Sequence, residues 1–183
     1  LDLDDKFVIL NVGRFNLQKN HSFILDIFKE IKTAHEKSVL LLAGNGTLEN
    51  EIREKCARLG LEDSVRFLGL RDDIDRLLQC ADVFLFPSLY EGLPVTMVEA
   101  QSSGIKCFIS DAIPQQCVLT EDVTALSLES GAKHWAEEIL PLSEGYDRKD
   151  RYTDMVKANF DITANAQWLC EFYLSEYKKA YGE

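Results

Sequence analysis

The sequence predicts an α/β fold in which a doubly wound parallel sheet is flanked by helices. Short apolar runs alternate along the chain with stretches whose apolar residues recur every three or four positions, as on one face of a helix. The runs are apolar throughout, so each strand is expected to be covered on both faces. Because the connections are short, right-handed strand-helix-strand units follow, and the combination predicts a Rossmann-like domain.

Six apolar runs are the expected strands, and amphipathic segments lie between them. The runs cover residues 7–12, 39–43, 65–69, 83–88, 107–110 and, as a shorter sixth, 125–128. Helical spacing is clear for Phe23, Ile27 and Ile31 in the first connection. A second helix is expected to end before Gly60, because glycine adopts the left-handed conformation that follows many helices.

Two further helices follow the third and fourth runs. Asp72 or Asp73 is expected to cap the first of them, since an aspartate oxygen accepts from the free amides of a helix start. The other is expected over about residues 94–103. Within it, the spacing predicts that Val95 faces the sheet together with Val98 and Met97.

We interpret residues 1–183 as one domain, with a Rossmann-like core over 6–130 and a helical extension over 131–183. The chain begins with Leu1 instead of Met, which suggests an excerpt of a longer protein. Large aromatic residues recur at roughly helical spacing near the C-terminus. They are Trp168, Phe172, Tyr173, Tyr177 and Tyr181.

Composition excludes several classes of protein. With 46% hydrophobic and 10% aromatic residues, the chain can bury enough surface to fold, which argues against disorder. The net charge of −11 repels phosphate backbones, so no nucleic-acid partner is expected. The sequence lacks an apolar stretch long enough for a membrane span, and its acidic start is unlike a signal peptide.

Cysteine and histidine usage argues against disulfide bonds and metal sites. The five cysteines are Cys56, Cys80, Cys107, Cys117 and Cys170. They are widely spaced and odd in number, which favours a reducing compartment in which cysteine serves as a small buried apolar residue. None of the three histidines has another histidine or a cysteine at the sequence spacing that is typical of metal ligands, so no metal site is expected.

Basic residues follow the first strand of an otherwise acidic chain. In a doubly wound sheet, ligands bind beyond the carboxyl ends of the strands, where Gly13, Arg14 and Lys19 are expected to lie. Gly13 would let the backbone approach a ligand, and the two cations would attract an anion. The alternative is that Arg14 and Lys19 are solvated surface charges.

The segment 87–100 carries the most specific pattern. Pro94 suits the first position of a helix, which leaves free amides nearby and favours a bound phosphate. These amides belong to Gly92, Leu93, Val95 and Thr96. Glu91 and Glu99 would be repelled by phosphate, so their expected partner is a vicinal diol, and the segment has the outline of a nucleotide-sugar site. Alternatively, Glu91 caps the helix and Glu99 is solvated.

Several of these motifs together resemble the donor-binding half of glycosyltransferase family 4, whose GT-B enzymes make bacterial capsules and exopolysaccharides. The resemblance covers about residues 6–130, in order and spacing. It rests on Val12-Gly13-Arg14-Phe15, Gln18-Lys19-Asn20-His21, Ala43-Gly44-Asn45-Gly46, Phe67-Leu68-Gly69 and Pro87-Ser88-Leu89-Tyr90-Glu91-Gly92-Leu93-Pro94 through Glu99-Ala100. A Glu followed after seven residues by another Glu is typical of that family.

The resemblance implies a role for each loop residue. The donor diphosphate would be bound by Gly13, Arg14, Lys19, Gly92, Leu93 and Thr96. Glu91 would contact the hydroxyls of the transferred sugar as the catalytic residue, and Glu99 would hold the ribose. The base, expected to be uracil, would lie against Gly69, Leu70 and Arg71.

The resemblance also implies the setting of the reaction. The expected function is retaining transfer of a hexosyl unit from a UDP-sugar to a glycan or lipid-linked acceptor, without cofactor or metal. The acceptor would be held by an N-terminal domain absent from this chain, so the isolated domain is expected to bind the donor but to transfer poorly. The aromatic residues near the C-terminus would pack either on that N-terminal domain or on the domain that carries them. A cytoplasmic enzyme, peripheral at the inner membrane face, is expected.

Two departures and two alternatives complete the prediction. Lys106 stands where the family usually has Pro, and residues 114–117 stand where it commonly has Pro-Glu and a glycine-rich loop. The role of the 111–124 loop is therefore not assigned. The alternative functions are a nucleotide-sugar epimerase of GT-B architecture and a non-catalytic nucleotide-sugar-binding module.

Overall fold

The computed structural model describes residues 2–182 and contains a six-stranded parallel sheet. Its strands are β1 (Phe7–Val12), β2 (Ser38–Ala43), β3 (Val65–Gly69), β4 (Val83–Phe86), β5 (Lys106–Ser110) and β6 (Val123–Leu126). They lie in the order β3-β2-β1-β4-β5-β6. The order reverses between β1 and β4, which confirms the doubly wound α/β class and places a topological switch point there.

Helices connect the strands and extend the chain beyond the sheet. They are α1 (His21–Ala34), α2 (Glu49–Arg58), α3 (Ile74–Cys80), α4 (Val95–Ser102), α5 (Gly131–Ile139), α6 (Tyr152–Lys157) and α7 (Ile162–Tyr181). Within residues 2–182, no helix has the length and apolarity that a membrane span requires.

The core consists of two apolar layers, one on each face of the sheet. Ile9 of β1 packs with α1, α2 and α5, whereas the adjacent Leu10 packs with α3 and α4. Successive side chains of a strand point to opposite faces, so both must be apolar when both faces are covered. This is why the strands appear in the sequence as continuous apolar runs.

Three local expectations were wrong. β6 begins two residues earlier than the run at 125–128 suggested. Pro94 precedes α4 in an extended conformation, with φ −75° and ψ 106°, and is not its first residue. Val95 is 65% exposed, since the face of α4 that meets the sheet is formed by Met97, Ala100 and Gln101.

The polar expectations for α3 and the cysteines were also only partly met. Asp73 lies at the start of α3, but its side chain makes no capping bond. Both of its carboxylate oxygens instead accept from the Arg71 guanidinium, at 2.7 and 2.6 Å. All five cysteines are free, and three are buried as expected, but Cys80 and Cys170 are exposed.

The C-terminal segment is attached to the sheet near the start of α6, whereas its last helix, α7, is exposed along its whole length. Arg151 and Asp122 are both buried and form an ion pair, to which Lys106 contributes a second cation. This contact attaches the start of α6 to the β5–β6 edge. In contrast, α7 has no buried residue, so its aromatic stripe does not pack on the domain that carries it.

Glycines bring the loops after β1 and β2 into close contact. A Cβ at Gly46 would lie 2.4 Å from the Phe15 carbonyl oxygen, and one at Gly44 would lie 2.1 Å from the Gly13 carbonyl oxygen. The Phe15 amide donates to the Asn45 carbonyl at 2.9 Å. The loop after β1 can therefore keep this shape only because Gly44 and Gly46, in the loop after β2, have no side chains.

Replacing Gly46 by Ala is expected to lower the free energy of unfolding by about 1–3 kcal/mol, because the new methyl overlaps backbone that cannot move freely. Urea unfolding measures the change. The matched control is Gly92→Ala, where, apart from residues 91–93, no atom of residues 2–182 lies within 4 Å of the new Cβ. That control should stay within about 0.5 kcal/mol of wild type. Equal losses in the two variants would refute the close-contact explanation.

His21, the first residue of α1, is buried beneath the first loop. It is 2% exposed, and its ring stacks on Phe15 with centroids 4.1 Å apart. Within residues 2–182, neither ring nitrogen has a hydrogen-bond partner. Burial, and then the charge of Lys19, lower the pKa of His21 from 6.5 to about 4, so the imidazole is neutral at physiological pH.

This pKa makes stability depend on pH. The unfolded chain binds the His21 proton more tightly than the folded chain, so stability is full above pH 6.5 and falls as the pH drops toward 4. The expected loss is up to about 3 kcal/mol. His21→Phe, measured by urea unfolding from pH 7 to 4.5, should remove most of that slope. His134→Phe, at an exposed histidine of α5, should keep it. An unchanged slope in His21→Phe would contradict the assignment.

Candidate functional site

The candidate site lies at the carboxyl edge of the sheet, where the loops after β1 and β4 meet. β1 and β4 are neighbours, paired at Ile9 with Val83 and at Leu10 with Phe84. The two loops therefore start from adjacent strand ends. This is the switch point of the sheet, where doubly wound folds form their ligand crevice.

The loop after β1 contains a short helical turn that orients its polar residues. The turn covers Leu17–Lys19, and the side chain of Asn16 caps it by accepting from the Lys19 amide at 3.1 Å. Asn20 follows in the left-handed conformation, with φ 55°, which ends the turn and lets α1 start in a new direction. As a result, Gln18 and Lys19 face the loop after β4.

Gly13 contributes space for the stem of Lys19. A Cβ at this position would lie 3.2 Å from both Cγ and Cδ of the lysine. The Lys19 ammonium lies over the Phe86 ring, 4.4 Å from its centroid, in a cation–π contact. The methylene stem thus crosses Gly13, and the charged end is held at the end of β4.

The loop after β4 is held from the β1 side at several points. The Leu89 amide donates to the Gln18 carbonyl at 2.8 Å, and Asn20 Nδ2 donates to the Pro87 carbonyl at 3.2 Å. These bonds connect segments about 70 residues apart in sequence and keep the two loops at a fixed separation.

A partly buried ion pair completes the junction. Lys19 Nζ lies 2.6 Å from Glu91 Oε1, and the two side chains are 15% and 6% exposed. Gln18 Nε2 donates to Glu91 Oε2 at 3.1 Å, so both carboxylate oxygens have a donor. Lys19 is therefore not a solvated surface charge, and Glu91 does not cap α4, which begins four residues later.

The other predicted diphosphate and ribose residues lie in the loops after β1 and β4 and on α4. Arg14 and Glu99 are exposed, the latter on α4. Gly92 and Leu93 are exposed in the loop, and Thr96 is half-buried in the first turn of α4. No side chain among residues 2–182 caps α4, so its first amides face the loop without a side-chain acceptor.

The predicted base loop, residues 69–71, lies at the end of β3. Gly69 has φ +66°, and its carbonyl accepts from the Gly44 amide at 2.8 Å, which attaches this loop to the one after β2. Leu70 is exposed. Arg71 forms an ion pair with Asp73, and both residues line a groove together with Asp2.

The 111–124 loop, to which the sequence assigned no role, contacts the loop after β4 next to Glu91. Cys117 Sγ donates to the Gly92 carbonyl at 3.2 Å. Gln101, fully buried on α4, donates to the Cys117 carbonyl at 2.9 Å and accepts from the Leu119 and Thr120 amides. The buried amide thus fixes the segment 117–120 beneath Gly92.

Sequence reasoning missed Gln18, Phe86 and Gln101 as parts of the site. The signal for Gln18 was its position beside Lys19, although adjacency does not reveal that both side chains reach the same carboxylate. Among residues 2–182, no cluster of three or more His, Cys, Asp or Glu side chains is arranged to hold a metal ion. A reaction without metal stays a prediction.

Comparisons with known proteins show the family of this chain. The family model for glycosyl transferases group 1 matches residues 2–159. EpsF of Bacillus subtilis (strain 168), which is named as a glycosyltransferase, is 43% identical over 136 residues, covering 74% of this chain and 35% of EpsF. UDP-Gal:alpha-D-GlcNAc-diphosphoundecaprenol alpha-1,3-galactosyltransferase of Escherichia coli is 32% identical over 128 residues, covering 68% of this chain and 33% of the enzyme.

Solved structures show the same fold. Anabaena Alr3699/HepE, crystallised in complex with UDP and glucose, superposes with a TM-score of 0.77 at 21% identity, covering 95% of this chain and 50% of that one. The chain spans about a third of the length of the two curated relatives described above. The match of the family model over residues 2–159 shows that the chain belongs to the glycosyl transferases group 1 family, with a GT-B type of Rossmann-like domain.

Proposed function

We propose that this chain is the donor-binding domain of a retaining hexosyltransferase that uses a UDP-sugar. The observation that carries the proposal is the junction of Lys19 and Glu91 at the switch point, beside the uncapped start of α4. A cation and free amides suit a diphosphate, and a carboxylate suits sugar hydroxyls. One edge of the sheet therefore offers groups for both halves of a nucleotide-sugar.

The proposed residue roles are those that the resemblance to glycosyltransferase family 4 implies. Arg14, Lys19 and the amides of Gly92, Leu93 and Thr96 bind the diphosphate, and Gly13 leaves room for the Lys19 stem. Glu99 accepts from the ribose hydroxyls, and Glu91 accepts from hydroxyls of the transferred sugar. During transfer, the cations and the positive end of α4 stabilise the departing UDP, so no metal is required.

Lys19 can serve the diphosphate without leaving Glu91. An ammonium group has three N–H donors, and the contact with Oε1 at 2.6 Å uses one of them. A phosphate oxygen can accept another. The proposed bound state therefore keeps Glu91 charged and oriented while Lys19 bridges the carboxylate and the phosphate.

The whole enzyme is proposed to need a second domain. The chain corresponds to about a third of the relatives' length, and an N-terminal domain would supply the glycan or lipid-linked acceptor site. The E. coli relative's name describes a UDP-sugar donor and a lipid-linked acceptor, which supports this substrate class. The isolated chain is expected to bind the donor with little or no transfer.

The chain should bind UDP in isothermal titration calorimetry, and EDTA should not change the affinity. Lys19→Met should raise the Kd at least about tenfold, because a charged hydrogen bond contributes about 1.5–3 kcal/mol. The control is Lys133→Met, at an exposed lysine of α5 that lies 4.0 Å from Glu137. The absence of heat at millimolar UDP in the wild-type chain would remove the proposal.

The two glutamates should differ in what they recognise. Glu99→Gln should weaken plain UDP about tenfold, through lost bonds to ribose. Glu91→Gln should leave plain UDP within about threefold and should mainly change the preference among UDP-hexoses. Glu137→Gln, on the exposed face of α5, is the control for both. If Glu91→Gln and Glu99→Gln weaken UDP equally, the division into sugar and ribose contacts is wrong.

A further inference from the structure

Gln18 contacts three consecutive residues of the loop after β4. Its carbonyl accepts from the Leu89 amide at 2.8 Å, and its side-chain Nε2 donates to the Tyr90 carbonyl at 2.9 Å. The same Nε2 donates to Glu91 Oε2 at 3.1 Å. An amide NH₂ has two hydrogens, so both side-chain bonds can form at once.

These bonds determine the orientation of the Glu91 carboxylate. The terminal torsion of glutamate is broad, so a single contact from Lys19 to Oε1 would leave the carboxylate free to turn about it. The second contact, from Gln18 to Oε2, fixes the plane of the group. A carboxylate has about four lone-pair directions, of which two remain for other donors.

The neutral amide of Gln18 is suited to this position. Lys19 already supplies the one positive charge that balances Glu91 within the pair. A second cation would compete for the carboxylate, and a second carboxylate would repel it at close range. An amide donates a hydrogen bond without changing the charge, so it can hold Oε2 while leaving Glu91 an anionic acceptor.

We infer that Gln18 is a positioning residue for the donor sugar: it holds Glu91 so that the free lone pairs of the carboxylate are presented to the sugar hydroxyls. The inference rests on the proposed function, in which Glu91 meets the transferred sugar. Gln18 itself acts through Glu91 and through the carbonyl of Tyr90, which keeps the loop beside the carboxylate in place.

The test compares affinities for plain UDP and for UDP-glucose, UDP-galactose and UDP-N-acetylglucosamine. Gln18→Met keeps the side-chain length and the backbone bond to Leu89 but removes the donor. It should lower the preference for the best-bound UDP-hexose over UDP by about three- to tenfold, with the Kd for UDP within twofold. Gln18→Glu, which faces Glu91 with a second carboxylate, should lower the preference further.

The matched control is Gln167→Met on α7. Gln167 also donates to a glutamate, Glu171, at 3.0 Å, but on an exposed helix. This variant should leave both affinities unchanged. A second measurement needs no nucleotide: hydrogen exchange of the free chain over residues 88–92 should be several-fold faster in Gln18→Met than in wild type or Gln167→Met.

The outcomes separate the inference from the proposed function. If the wild-type chain binds neither UDP nor any UDP-hexose, the proposed function fails and the sugar-positioning role fails with it. If it binds UDP but Gln18→Met lowers UDP and UDP-hexose affinity equally, or lowers neither, the proposed function stands and the inference is overturned. Unchanged exchange over residues 88–92 would show that Gln18 does not hold the loop.

Discussion

The ion pair between Lys19 and Glu91 is the interaction on which the rest of the site depends. It joins residues 72 positions apart, and both side chains are largely withdrawn from water. Removing one partner of a buried pair leaves an uncompensated charge, which is strongly unfavourable. The loops after β1 and β4 are therefore held together by this ion pair as well as by the adjacency of their strands.

Backbone packing on both sides supports this pair. On one side, Gly44 and Gly46 allow the loop after β2 to press against Gly13 and Phe15, which fixes the loop that carries Lys19. On the other side, buried Gln101 fixes the segment beneath Gly92, next to Glu91. None of these contacts involves a charged group, so they support each loop separately, and the ion pair joins the two loops.

Much of the fold was predictable because its cause acts locally. A strand buried on both faces must be apolar at every position, so β1, β2 and β4 are visible as runs in the sequence, and the switch-point rule then places the candidate site. The start of α4 was less accessible. Whether Pro94 lies inside or before the helix changes which side chains face the sheet, and only packing decides this.

Charge partners could not be predicted, because sequence does not show which distant groups meet. Lys19 and Glu91 were both assigned to the site, yet their contact with each other was not foreseen. Arg71 was assigned to the base loop but pairs with Asp73, two residues away. For α7, the spacing of the aromatic residues indicated an apolar face, while what lies against that face is not determined by the helix itself.

A double-mutant cycle on the free energy of unfolding tests the central claim most directly. The cycle uses Lys19→Met, Glu91→Gln and the double variant, each unfolded in urea at neutral pH without nucleotide. A buried pair that holds the two loops predicts a coupling energy of about 1–3 kcal/mol, so that the double variant loses less than the sum of the two single losses. Losses that add to within about 0.5 kcal/mol would contradict the account.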